Sequence, residues 1–190
     1  MKLILFCGAS GSGKTSIVHH LLRQNPRLCF SVSATTRARR DKEEHGKDYY
    51  FLTVEEFKQK IRHDEFLEWE EVYEDRFYGT LKSEIKRINN YHQVPVFDVD
   101  VEGGLKIKKF FEERLLAVFV MPPDLETLQQ RLLRRGSETD ESLKKRVDKA
   151  AAEFLYASKF DHVIINHVLE DACREAQDLV DQFLVKSYEL

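Results

Sequence analysis

Leu3-Ile4-Leu5-Phe6-Cys7-Gly8-Ala9-Ser10-Gly11-Ser12-Gly13-Lys14-Thr15-Ser16-Ile17-Val18 is the stretch that decides the fold. Leu3–Cys7 is an unbroken apolar run of strand length that stops at a glycine. From Lys14 onward the apolar side chains fall at Ile17, Val18, Leu21 and Leu22, which is a helical spacing. A strand, a glycine turn and a helix open a βαβ unit. The residues between them, Gly8-Ala9-Ser10-Gly11-Ser12-Gly13-Lys14-Thr15, match G-x-x-x-x-G-K-[ST] in full. Glycines let a backbone wrap closely around a phosphate and aim successive N–H groups at it. The helix start adds its positive dipole end. In such a loop Lys14 can reach the β- and γ-phosphates of a nucleotide, and the Thr15 hydroxyl can ligate Mg²⁺.

Outward from that loop, Val94–Val99 reads as a buried strand followed by Gly103-Gly104 and a basic helix, and residues 115–120 as a further core strand. Pro122-Pro123-Asp124 opens a helix through about Arg135, closed by Gly136. A polar turn, a helix from about Glu141, a short strand at 163–165 and a final amphipathic helix from about Glu170 complete the chain. Between about Leu28 and Tyr78 the texture changes to short strand-like runs at 28–33, 48–52, 66–72 and 76–78. One helix, Val54–Arg62, sits among them behind a Thr53/Glu56 capping box, and Glu74-Asp75 reads as a hairpin turn. The expectation is an α/β, doubly wound parallel sheet carrying two polar excursions, at about 33–80 and 122–150.

Composition fits this reading and excludes others. The chain has 190 residues, 42% of them hydrophobic and 33% charged, enough for one domain with its own core. A net charge of −3, with acids and bases mixed, argues against bulk affinity for nucleic acid or an anionic membrane. The opening apolar run is too short for a signal peptide, and no stretch approaches the length of a membrane span. Cys7, Cys29 and Cys173 are three in number, widely spaced and outside any metal-binding pattern. They point to a reducing cytoplasm rather than a disulfide framework or structural zinc. The oligomeric state expected is a monomer or a small homo-oligomer.

A phosphate loop requires a carboxylate at the end of a neighbouring strand. Val96-Phe97-Asp98 supplies one, and Asp100, two residues on, points to the same side in a strand. Such a pair suits the ligand crevice at a strand's carboxyl end, although a solvated strand end has the same pattern. A second substrate needs its own site. Arg37 and Arg40, in Ser33-Ala34-Thr35-Thr36-Arg37-Ala38-Arg39-Arg40, could clamp an acceptor phosphate bidentately, or form a solvated basic turn. Tyr49 and Tyr78 end strand-like runs, within phenol reach of the same phosphate. Glu68 is either an outward-facing strand residue or a placed acceptor for two purine N–H donors.

These runs together resemble the guanylate kinase family along essentially the whole chain. The resemblance is carried by GASGSGKT, FSVSATTRARR, GKDYYF, EFLEW, YGT, VFDVDVEGG, RRGSETDES and VIIN. The spacing Ser33-x-Thr35-Thr36-Arg37-x-x-Arg40 followed by Gly46-Lys47-Asp48-Tyr49 is far more particular than the phosphate loop. The resemblance implies a phosphoryl transfer from MgATP to GMP, and to dGMP, by a chain divided into a core (1–32, 81–121, 151–190), a GMP-binding insert (33–80) and a helical lid (122–150). It implies that Arg37, Arg40, Tyr49 and Tyr78 bind the GMP phosphate, and that Ser33, Glu68, Thr80 and Asp100 read the guanine. Residues 8–16, that is Gly8, Ala9, Ser10, Gly11, Ser12, Gly13, Lys14, Thr15 and Ser16, serve ATP, with Asn166 on the adenine side and Asp98 beside Mg²⁺. Arg131, Arg135 and Arg146 resemble the family's lid arginines. The chain departs from the family's usual residues at Ala9, Ala38-Arg39, Thr80, Glu102 and His167. Two rival readings are a guanylate-kinase-like module that binds phosphoproteins without catalysis, and a kinase of another phosphorylated acceptor. A GTPase switch would need a run such as N-K-x-D, which the sequence lacks.

Overall fold

The computed structural model describes residues 1–134 and 140–186. In chain order the elements are β1 (Leu3–Cys7), α1 (Lys14–Gln24), β2 (Leu28–Phe30), β3 (Ala34–Thr35), β4 (Tyr50–Phe51), α2 (Val54–Arg62), β5 (Phe66–Tyr73) and β6 (Arg76–Leu81). They continue with α3 (Lys82–Asn90), β7 (Val94–Val99), α4 (Val101–Phe111), β8 (Leu115–Met121), α5 (Leu125–Leu133), α6 (Asp140–Phe154), β9 (His162–Ile165) and α7 (Leu169–Val185).

Five strands form a wholly parallel sheet in the order β2-β7-β1-β8-β9. The central strand, β1, is buried along its length and has helices over both faces, which is why it reads as an unbroken apolar run. On one face Ile17, Val18 and Leu21 of α1 pack with Ala176, Val180 and Phe183 of α7 over Ile4, Phe6 and Val118. On the other, Ile85 of α3 and Ile107 and Phe111 of α4 cover Leu5, Phe97 and Phe119. A second sheet, β4-β3-β6-β5, is mixed: β3 pairs β4 in parallel, and β6 is antiparallel to both β3 and β5. Phe57 of α2 stacks on Phe66 and Phe77 with ring centroids 4.3 and 5.3 Å apart and closes its small core. Thr53 and Glu56 cap α2 reciprocally, as expected.

Three features depart from the sequence reading. β7 ends at Val99, so Asp100, expected as a strand residue on the side of Asp98, is instead the N-cap of α4. Residues 28–33 do not make one strand: the chain leaves the parallel sheet at Phe30 and enters the mixed sheet at Ala34. α3 carries no sequence signal strong enough to be read. Its N-cap is Leu81, which offers no side-chain hydrogen bond, and its buried positions include Glu84 beside Ile85 and Ile88. The end expected for the helix at Arg135 and Gly136 lies outside the described residues. Among the described residues no helix is long and apolar enough to cross a membrane.

Candidate active site

The phosphate loop leaves β1 at the carboxyl edge of the parallel sheet. Phe6 is in register with Asp98 of β7, so the loop and that carboxylate emerge side by side. Gly8 has φ +138°, and a Cβ there would lie 2.1 Å from the carbonyl oxygen of Val120, so no side chain fits. Ala9 is buried against the α5–α6 pair, while Ser10, Thr15 and Ser16 are exposed. Thr15 Oγ1 donates to Asp98 Oδ2 at 2.6 Å, and Lys14 Nζ lies 3.8 Å from Asp98 Oδ1 and 3.5 Å from the Ala9 carbonyl. A hydroxyl and a carboxylate converging on one point form an all-oxygen donor pair. That fits a hard cation such as Mg²⁺, which takes few protein ligands and completes its shell with phosphate oxygens and water.

Asn166 is buried at the end of β9. Its Nδ2 donates to the Ser12 carbonyl at 2.8 Å, so the side chain braces the phosphate loop from beneath. Arg131 of α5 donates to the Asn166 carbonyl at 2.8 Å, which ties α5 to the same brace. Both side chains are thus turned to the loop's support in this conformation. Arg135 lies outside the described residues.

One cleft of about 430 Å³ joins the two halves of the site. Gly8, Ser10, Lys14, Thr15 and Asp98 line it on the phosphate-loop side. Ser33, Tyr49, Tyr78, Glu68 and Asp100 line it on the side of the mixed sheet, and Arg146 enters from α6. Glu68 is 8% exposed, and its Oε1 accepts from Thr80 Oγ1 at 2.7 Å. Burial raises its carboxyl, and the Thr80 hydrogen bond partly offsets the rise. Asp100 caps α4 by accepting from the Gly103 N–H at 2.9 Å. Gly103 packs tightly here: a Cβ there would sit 3.0 Å from Glu68 Oε2, so Glu68 would have to shift slightly.

Arg37 is held in a form that sequence reasoning did not anticipate. Its guanidinium pairs bidentately with Glu43, at 2.8 and 3.0 Å, and lies 5.3 Å over the Tyr49 ring. Glu43 also accepts the Arg40 backbone N–H at 2.9 Å. These contacts, the Arg37 bond first, hold its carboxyl down at about 2. The Arg40 side chain is exposed and does not line the cleft. Glu43 thus sits where an anion would engage Arg37, which a reading of cations alone overlooked.

Seven lining residues were also missed: Glu70, Val72, Tyr73, Gly79, Val99, Lys149 and Glu153. The signal for most of them is periodicity. Glu70 and Val72 follow Glu68 on the same face of β5 at period two. Lys149 and Glu153 follow Arg146 at i+3 and i+7 on α6, one face of a helix. Lys149 Nζ lies 3.6 Å from Glu153 Oε1.

Burial, with Asp100 and Glu102 close by, pushes the Glu70 carboxyl up to about 7. An acid whose pKa is raised by folding keeps its proton where the unfolded chain has lost it. Wild-type stability therefore falls, relative to a neutral residue at this position, as pH rises from the ordinary 4.5 through about 7, and levels off above. Glu70→Gln should gain more stability over wild type at pH 8 than at pH 5, read as denaturant midpoints. An equal difference at both pH values would contradict the assignment.

Comparison with known proteins bears on the same residues. A family model for guanylate kinase matches residues 1–183. The guanylate kinase of Bacteroides fragilis is 49% identical over 183 residues, covering 96% of this chain and 90% of its own. That of Porphyromonas gingivalis is 45% identical, covering 97% and 99%. The crystal structure of guanylate kinase from Anaplasma phagocytophilum superposes with a TM-score of 0.78 at 26% identity, covering 98% of this chain and 87% of that one. A shikimate kinase structure from Bacteroides thetaiotaomicron shares the fold, with a TM-score of 0.55 at 14% identity.

Proposed function

The chain belongs to the guanylate kinase family and has guanylate kinase activity, and from that premise we propose how it moves the γ-phosphoryl group of ATP to GMP, and to dGMP, in line and without a general base. The observation that carries this reading is the single cleft shared by Lys14 and Thr15 on one side and Tyr49, Tyr78 and Glu68 on the other. The acceptor is a phosphate monoester, already anionic at neutral pH, so no proton need be removed before attack. The obstacle is repulsion between two anions. Lys14, the loop N–H groups and the α1 dipole draw charge from the donor phosphates. The phenols of Tyr49 and Tyr78 orient the acceptor phosphate from within the cleft; Arg37, released from Glu43, and Arg40 would join them as the insert closes, and Arg146 reaches the transferring group from α6. Arg131 and Arg135 join it as the helical excursion at 122–150 closes over both nucleotides and excludes water.

Thr15 and Asp98 would hold the Mg²⁺ that accompanies ATP; its positive charge would offset the charge on the phosphates. Glu68 accepts from guanine N1–H and N2–H₂, supported by Ser33, Thr80 and Asp100. The reading extends to dGMP, which presents the same base and phosphate to these groups. Asn166 acts on the donor side through its hold on the loop. The free thiols Cys7, Cys29 and Cys173 suit a cytoplasmic protein. The test is ADP formation from MgATP across GMP, dGMP, AMP, UMP and ribose phosphates. Turnover is expected with the two guanine nucleotides, at a rate at least about 100-fold above AMP. Equal use of AMP would overturn the assignment of the acceptor pocket.

A further inference from the structure

Among the described residues, Glu84 is the most completely buried charged side chain that the mechanism above does not use: its side chain is 1% exposed, and it lies outside the cleft lining. Both of its oxygens are fully engaged. Oε1 accepts from the Val32 backbone N–H at 3.1 Å and from Arg87 at 2.7 Å. Oε2 accepts from the Tyr50 hydroxyl at 2.8 Å and from Arg87 Nε at 2.9 Å. Arg87 is one turn along α3, so the charge is neutralised within its own helix. The other two partners lie on separate segments. Val32 belongs to the crossing between β2 of the parallel sheet and β3 of the mixed sheet, and Tyr50 begins β4. The two segments also meet directly, where the Tyr50 N–H donates to the Ser33 carbonyl at 2.9 Å.

The neighbours of these partners are what matter. Ser33 follows Val32, Tyr49 precedes Tyr50, and both line the cleft on the acceptor side. We propose that Glu84 is a positioning residue for the acceptor: it clamps Val32 and Tyr50 to α3 and thereby sets Ser33 and Tyr49 at the distance a nucleoside monophosphate requires. This rests on the guanylate kinase reading of the cleft. The donor half is independent of it, since the phosphate loop hangs from β1 and is braced by Asn166 and Asp98. A buried carboxylate accepting several hydrogen bonds is suited to the task, because an error in the position of any partner leaves a charge unsatisfied.

The test compares steady-state kinetics of wild type, Glu84→Gln, Tyr50→Phe and the double variant. Glu84→Gln keeps the shape and removes the charge that four donors share. It should raise KM for GMP about tenfold with KM for ATP within twofold of wild type. Tyr50→Phe deletes one hydroxyl and should raise KM for GMP about threefold. The double variant should be no worse than Glu84→Gln, since both act through one contact. If Glu84→Gln does not fold, Tyr50→Phe alone decides. KM for GMP unmoved in a folded variant, or both KM values rising together, overturns the role of Glu84. Wild-type protein that fails to phosphorylate GMP overturns instead the reading of the cleft on which this inference rests.

Discussion

Lys14→Ala should lower the turnover of GMP by about three orders of magnitude or more while the protein stays folded. The reason for the loss is electrostatic. As the γ-phosphoryl group separates from ADP, charge moves onto the bridging oxygen and the β-phosphate. The ammonium of Lys14, pre-set at the start of α1 beside the phosphate loop, is placed to meet that charge. Removing it costs stabilisation that water, excluded from a closed cleft, does not replace. The reason for the retained fold is equally local. Lys14 is half-buried, and its ammonium lies 3.5 Å from the Ala9 carbonyl and 3.8 Å from Asp98. Neither contact holds the loop, which depends on glycine geometry and on Asn166. Turnover and thermal unfolding should therefore separate. Turnover within tenfold of wild type in a folded variant would end the assignment of this loop.

Glu68→Gln should cost about 100-fold in kcat/KM for GMP and leave the apparent affinity for ATP unchanged, a loss of about 2.7 kcal/mol in transition-state binding. Glu68 holds one oxygen to Thr80, and its other lies beside Gly103. A carboxylate presents acceptors only, which matches the adjacent N1–H and N2–H₂ donors of guanine. A glutamine turns a donor toward that edge, leaving a buried N–H against an N–H. Adenine carries an acceptor at N1 beside an N6 donor, so the amide suits it better, and the preference for GMP over AMP should shrink by a similar factor. The measurement is the ratio of the two kcat/KM values for variant and wild type. A ratio unchanged in the variant would show that Glu68 does not read the base.

The donor half of this site was legible because its constraints are local. A phosphate loop needs its glycines, lysine and hydroxyl at fixed spacings in contiguous sequence, and its strand and helix announce themselves by hydrophobic period. Asp98 followed from the same logic, one strand over. The acceptor half was legible residue by residue through family-like runs, but its organisation was not. Glu43 looked like one more acid in a polar stretch, and only three-dimensional proximity pairs it with Arg37. Glu84 lies in a helix with no capping signal and too few apolar positions to betray a face, so both helix and carboxylate escaped notice. Lys149 and Glu153 were on a helix already expected, at spacings that pointed with Arg146 to one side. What sequence lacked there was any indication of which side met the cleft.

The two sheets share no strand, and every strand of the mixed sheet falls within residues 34–81. None of the five strands that carry the phosphate loop is interrupted by that interval, since β2 ends at Phe30 and β7 begins at Val94. Most of the groups proposed to choose the acceptor, Tyr49, Glu68, Tyr78 and Thr80, therefore fall in one interval, while Ser33 and Asp100 stand just outside it on the core. A graft that replaced this interval, with Ser33 and Asp100 changed alongside it, would offer the same ATP-binding scaffold a different acceptor without re-laying any strand of the parallel sheet.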